Sequence, residues 1–344
     1  MLQRLVGFQS IGTLAGAISP GRRSIVVAAA LMLLIPSTSS LWAQEPASSY
    51  PSQPIRIVIP AGPGGTLDII ARVVGQKLTE RLGQPVVIEN KAGANTIIGT
   101  DFVAKAPADG YTILCAAAAS IVTNPAIYSK LRYSIADFAP LSNVASYPFI
   151  LSVAKSVPAQ NLRELIEFIK KNPEKSNAGG STAGHQLMTA WFREITGAPV
   201  QYIPYKGMNE VTAALAGDQL MMSFLTAANA DQINSGMVRP IAITSAARDA
   251  RFPNVPTMKE AGVDGMVALS WAGFLAPART PQAIVNKLSS EIATIVQLPD
   301  VRARLLAANL DPVGNTSEQF AKTIASDFET LAKIAKAANI QINQ

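Results

Sequence analysis

The chain has 344 residues, of which 49% are hydrophobic and 15% charged, and a formal net charge of +6. One cysteine excludes an internal disulfide, and one histidine excludes any centre that needs two histidine ligands. The sequence carries no basic stripe with interleaved aromatics, so no nucleic-acid partner is expected.

Arg4, Arg22 and Arg23 precede an apolar run from Ile25 to Pro36, and Ser37-Thr-Ser-Ser-Leu-Trp-Ala43 follows, with no acid before Glu45. This is the pattern of a secretory signal peptide over residues 1–43, cut after Ala43. The run falls short of the ~20 apolar residues of a membrane span; an uncleaved anchor is the alternative. Arg22-Arg23 leaves the general and the twin-arginine export routes both open. Losing residues 1–43 leaves 26 basic against 23 acidic residues, a net charge of about +3. The remaining length is enough for two cores.

Apolar Ile55, Ile57, Val58 and Ile59 predict a buried strand over 55–59. Pro60 to Gly65 form a Gly/Pro loop, Thr66 is placed to cap, and Ile70, Val74, Leu78 and Leu82 predict a helix over 67–82. A Gly-rich loop before a helix N-terminus gathers free N–H groups and partial positive charge, which suits a small anion. The same pattern also occurs as a plain turn. It is neither a phosphate-binding P-loop nor a dinucleotide fingerprint, because the Gly-Lys-Ser/Thr and the third glycine are missing.

Strand, helix and strand follow over 86–89, 98–106 and 111–115, with Cys115 a packing residue at the last strand's end. Residues 139–153 read as a strand long enough to cross between lobes. A helix over 162–171 starts at the cap Asn161. A small-residue loop over 177–185 then precedes a helix over 186–196. Strands over 200–203, 220–224 and 240–244 alternate with helices over 209–216 and 228–235. Residues 268–276 form the second long strand, and helices over 281–296, 300–309 and 317–338 end the chain. In the last of these, Phe320, Ile324, Phe328, Leu331 and Ile334 are expected to be plain core.

This alternation implies an α/β fold with two lobes joined by two crossovers: residues 46–145 plus 271–344, and residues 146–270. Each lobe is expected to hold a mixed, mostly parallel sheet flanked by helices. Ligands of such folds sit outside the carboxyl ends of the strands, here in the cleft between the lobes.

With these elements placed, the sequence resembles the Bug family of periplasmic solute-binding proteins, the receptor subunits of tripartite tricarboxylate transporters. The likeness runs from Tyr50 to about Ile340. It rests on Tyr50-Pro-Ser-Gln-Pro-Ile-Arg56, Pro63-Gly-Gly-Thr-Leu-Asp68, Leu82-Gly-Gln-Pro-Val-Val-Ile-Glu-Asn90 and Ala106-Pro-Ala-Asp-Gly-Tyr-Thr112. Pro204-Tyr-Lys-Gly207, Phe252-Pro-Asn-Val-Pro-Thr257 and Trp271-Ala-Gly-Phe-Leu-Ala-Pro-Ala278 continue it.

The resemblance implies a type II-like periplasmic-binding-protein fold that closes about a hinge. It implies no catalytic residues, no cofactor and no metal. The implied partners are a small organic anion (a mono- or dicarboxylate, an amino acid or an aromatic acid) and membrane permease subunits, with the receptor a periplasmic monomer. Carried over by position, the first ligand loop is Pro63, Gly64, Gly65 and Thr66 with Asp68; the second is Gly180, Ser181 and Thr182 with His185. Ser120, Thr123 and Tyr205 are further candidates for the cleft. The chain departs from the family in Ile59-Pro60-Ala61-Gly62-Pro63, where an aromatic and a second proline are usual, and in Phe224-Leu-Thr-Ala-Ala-Asn229.

Each candidate also has a plainer reading. Asp68 suits the first turn of a helix, where an acid complements the dipole, and Ser181 and Thr182 suit a cap and turn. Two other functions use the same residues. A sensor would present its closed form to a membrane signalling partner. A hydrolase would use Ser181 and His185, four residues apart, but the G-x-S-x-G elbow is missing.

Overall fold

The computed structural model describes residues 49–342, so the leader expected over 1–43 lies outside the described residues. The first strand, β1 (Ile55–Ile59), is buried on both faces: Ile55, Ile57 and Ile59 enter one apolar cluster and Val58 another. A strand sandwiched in this way reads as a continuous apolar run. It leads to α1 (Thr66–Leu82), which starts one residue earlier than expected. Gly65 is therefore the N-cap and Thr66 is the first helical residue, and no side chain caps this helix.

β2 (Val86–Asn90), α2 (Ile97–Ala104) and β3 (Thr112–Ala117) follow. β1 pairs in parallel with both β2 and β3. Beyond β3 come a single π-helical turn, Ala119–Thr123, and the short α3 (Asn124–Ile127), neither of which the sequence pattern signals. β4 (Phe138–Val153) is the long strand expected.

The next elements are α4 (Leu162–Lys171), β5 (Asn177–Gly180), α5 (Ala183–Thr196) and β6 (Gln201–Pro204). The small-residue segment expected as a loop over 177–185 is thus a strand, a two-residue turn and the first turn of a helix. Its glycines allow close packing that a loop would not need. A Cβ on Gly180 would fall 2.2 Å from the Cβ of His185. Asn161 caps α4 as expected, its side chain accepting from the Glu164 N–H at 3.0 Å.

α6 (Met208–Ala216), β7 (Met222–Thr226), α7 (Ala230–Asn234) and β8 (Arg239–Ile243) complete the middle of the chain. The second long strand, β9 (Leu269–Pro277), then leads to α8 (Gln282–Gln297), α9 (Pro299–Ala307), the two-residue β10 (Asp311–Pro312) and α10 (Ser317–Ala337).

The strands form a ten-stranded sheet in the order β2-β1-β3-β9-β4-β7-β5-β6, with β8 and β10 also pairing with β4. The parallel pairs are the outer ones, β1 with β2 and β3, and β5 with β6 and β7. Every pair made by β4 is antiparallel. Its first part pairs with β9 from Phe138 to Pro148, and its last part with β7 from Phe149 to Val153.

The apolar cores divide along the same line. One gathers mainly residues between Ile150 and Met266, Phe192, Leu215 and Phe224 among them. Two others cover the opposite faces of β1, β3 and β9. α10 belongs to both sides: Phe320 and Ile324 pack in the third cluster, Ile334 and Ala335 in the first, and Leu331 touches both. Among the described residues no helix is long and apolar enough to cross a membrane.

Candidate ligand-binding site

Because β1 and β3 run parallel in one half and β5, β6 and β7 in the other, their carboxyl ends collect at two edges. Between these edges lies a cavity of about 330 Å³. Ala117 and Ala118 enter it from the end of β3, with Ala119, Val122 and Thr123 from the π-helical turn. Thr182, His185, Met188 and Trp191 enter from α5, Thr226 from the end of β7, and Met208 from α6. Tyr147 and Phe149 contribute from β4, where the strand leaves one half for the other. The remaining wall comes from residues 267–270 and from Ser326, Asp327, Thr330 and Leu331 of α10.

His185 sits in the first turn of α5 and is 8% exposed. Its Nδ1 lies 2.7 Å from the Thr182 hydroxyl, and its ring meets Phe149 edge-on at 6.2 Å between centroids. The Tyr202 hydroxyl donates to the Thr182 carbonyl at 3.2 Å. Burial pushes the imidazole down to about 4, so it is neutral at pH 7. With Nδ1 taken up by Thr182, the neutral imidazole has Nε2 left for a further hydrogen bond, without a charge.

Asp327 is half-buried and accepts from the Trp271 indole N–H at 2.8 Å. Burial raises its carboxyl above the ordinary range, against the lowering effect of the indole bond. Among the described residues no lysine or arginine lines the cavity.

The first loop behaves differently. Gly62, Pro63, Gly64 and Gly65 are exposed, Thr66 is half-buried, and none of them lines the cavity. Gly64 holds a left-handed φ of 82°, which favours glycine. Asp68 is buried beneath this loop. Its Oδ2 accepts from the Gly64 N–H at 3.0 Å and from Arg72 Nε at 2.8 Å; its Oδ1 accepts from Arg72 Nη2 at 3.0 Å and Asn90 Nδ2 at 3.3 Å. Arg72 first, then the Gly64 N–H, holds its carboxyl down at about 2. These bonds occupy both oxygens and brace the loop.

The other candidates are spread around the cavity. Ser120 is fully buried behind Ala119, its hydroxyl bonding Thr96 Oγ1 at 2.9 Å. That bond belongs to a polar cluster in which Asn124 Nδ2 donates to the Asn95 carbonyl at 2.9 Å. The cluster holds Ala94, Asn95 and Thr96 at φ of 45°, 51° and 74°, a left-handed stretch of three non-glycine residues. Gly180 is buried under His185, Ser181 is half-buried, and Tyr205 packs on the core with its N–H donating to the Gly180 carbonyl at 2.9 Å. Thr123, Thr182 and His185 are therefore the sequence-derived candidates on the cavity wall. Sequence reasoning missed Trp191, Met188, residues 267–270 and the α10 face. Asp327 offered one signal: an acid inside an apolar stripe, three residues after Ile324 and four before Leu331.

The family profile for the tripartite tricarboxylate transporter family receptor, TctC, matches residues 70–340. The chain belongs to that family. Among relatives of this TctC chain, the protein BugT of Bordetella pertussis is 34% identical over 313 residues, 89% of this chain and 95% of the relative. Among solved structures, R. palustris Rpa4515 with adipate matches with a TM-score of 0.75 at 31% identity, covering 86% of this chain and all of that one. The periplasmic binding protein BugD matches with a TM-score of 0.72 at 31% identity, over 86% and 100%. The TctC receptor thus has the two-lobed periplasmic-binding-protein fold expected from its sequence. Among the described residues no cluster of three or more His, Cys, Asp or Glu side chains could hold a metal ion.

Proposed function

We propose that this chain is an exported receptor that captures a small carboxylate-bearing solute in the cavity and hands it to membrane permease subunits. The observation that carries the reading is the cavity itself, walled by the carboxyl ends of strands from both halves and by the first turn of α5. There the hydrogen-bonded pair of Thr182 and neutral His185 keeps one uncharged donor between them, at the start of α5. Solute capture by relatives and the adipate held by Rpa4515 support a carboxylate as the ligand.

In this reading residues 1–43 are removed on export, and residues 46–145 plus 271–344 and residues 146–270 form lobes that close on the ligand. Pro63, Gly64, Gly65 and Thr66 follow the strand beside β3 and meet the ligand on closure, with Ser120, Gly180, Ser181 and Tyr205 supporting the walls behind it. The hydrolase alternative has less support, because His185 Nδ1 is taken up by Thr182, not Ser181.

A panel of carboxylates added to the mature protein tests the proposal by thermal unfolding. A ligand at 100 times its Kd stabilises by about 2.7 kcal/mol, several degrees in melting temperature. A panel in which no carboxylate raises the melting temperature or binds in calorimetry refutes it.

A further inference from the structure

The wall of the cavity has a composition that a dicarboxylate receptor would not need. Phe149, Leu187, Met188, Trp191, Met208 and Leu331 make it largely apolar. The charged group on it is Asp327, with no cation beside it on the wall. A second carboxylate brought into this space would lose its water, gain no counter-charge and face Asp327. A ring, in contrast, would meet the faces and edges of Phe149 and Trp191. The volume, about 330 Å³, is at the small end for ligand pockets and suits one ring with a short side chain.

We infer that the preferred ligand is a monocarboxylate with an apolar, aromatic body. Its single carboxylate meets the one donor left to the uncharged Thr182–His185 pair and the start of α5, and its body lies against Phe149, Trp191 and Met208. This rests on the carboxylate-receptor reading and narrows it. Asp327 acts as the excluding group: it is the side chain that makes a second carboxylate unwelcome.

The test is calorimetric titration of the mature protein with benzoate, phenylacetate, adipate and malate, repeated with Asp327→Asn and Met208→Lys. At least one of the two aromatic monocarboxylates binds ten or more times tighter than either dicarboxylate. Asp327→Asn, which keeps an acceptor for the Trp271 indole, narrows that gap at least threefold. Met208→Lys, at a half-buried wall position, shifts the ratio toward adipate at least tenfold; thermal melting of each variant establishes that it is folded. Adipate or malate binding as tightly as the aromatic acids overturns the inference and leaves the receptor reading standing. No binding by any of the four in the wild type, together with silence across the wider panel, overturns both. An unchanged gap in a folded Asp327→Asn protein removes the role given to Asp327.

Discussion

His185 is the chain's single histidine, and that makes its titration separable from every other group. Burial lowers it from 6.5 to about 4 in the folded protein. Between those values the unfolded chain binds a proton that the folded chain refuses, so stability falls as pH falls. The contribution is complete above pH 6.5 and is lost at up to ~1.4 kcal/mol per pH unit until about pH 4. From pH 7 to pH 5 the expected loss is about 2 kcal/mol. Asp311 and Asp327, whose pKa values burial raises, act in the opposite direction and only toward the carboxylate range. Urea unfolding of the wild type and of His185→Gln at half-unit steps from pH 7.5 to 5 measures the effect. The wild type loses about 2 kcal/mol across pH 7 to 5, and the variant stays nearly flat. Parallel curves for the two proteins would sink the argument, because they would mean that the imidazole charges freely in the folded state.

Three further outcomes follow from the site. Gly180→Ala places a Cβ 2.2 Å from the Cβ of His185, so backbone must move; a loss of about 1–3 kcal/mol in denaturant unfolding is expected, together with a weaker melting response to ligand. Asp68→Asn loosens the Gly62–Gly65 loop by no more than about 1 kcal/mol, because Arg72 is more than half exposed and solvent screens the pair. Asp68's contribution is full above its unfolded value of 3.8 and is lost as pH falls through about 2, so wild-type and variant melting temperatures should converge over that window. Asn124→Ala removes the donor that holds the left-handed 94–96 stretch and leaves the Asn95 carbonyl unpaired; a cost of about 1–3 kcal/mol is expected, and wild-type stability in the variant would contradict that role.

Much of the fold was legible because its signals are local. β1, α1, α4, β4 and α8 announce themselves through apolar period and caps, within a residue or two of their observed ends. The π-helical turn at Ala119–Thr123 was not legible, since Ala116–Ala119 carry almost no pattern and the geometry is fixed by Asn124, Ser120 and Thr96 across the cluster. The site divided the same way. Thr182 and His185 lie where a strand meets a helix, which composition marks. Leu331 and Trp191 are apolar residues on apolar faces, and helical spacing does not distinguish a side chain that meets another core residue from one that borders a cavity. The glycine loop at Gly62–Gly65 carried the stronger sequence signal, yet it is exposed and braced by Asp68 instead of lining the cavity. Helix-start chemistry is visible in a sequence; which helix start faces an enclosed space depends on strand order.

The placement of the tryptophans has a practical consequence. The chain has three, and Trp42 falls within the first 43 residues. The other two are both bound to the cavity: Trp191 forms part of its wall, and Trp271 donates its indole N–H to Asp327, another part. In a protein lacking residues 1–43, all indole emission comes from one side chain on the cavity wall and one hydrogen-bonded to a carboxylate on that wall. On the proposed reading these two indoles are an intrinsic optical reporter: a change of intensity on adding a solute is expected from Trp191, and a pH-dependent drift from the Trp271–Asp327 pair. No dye or engineered label is needed to follow either.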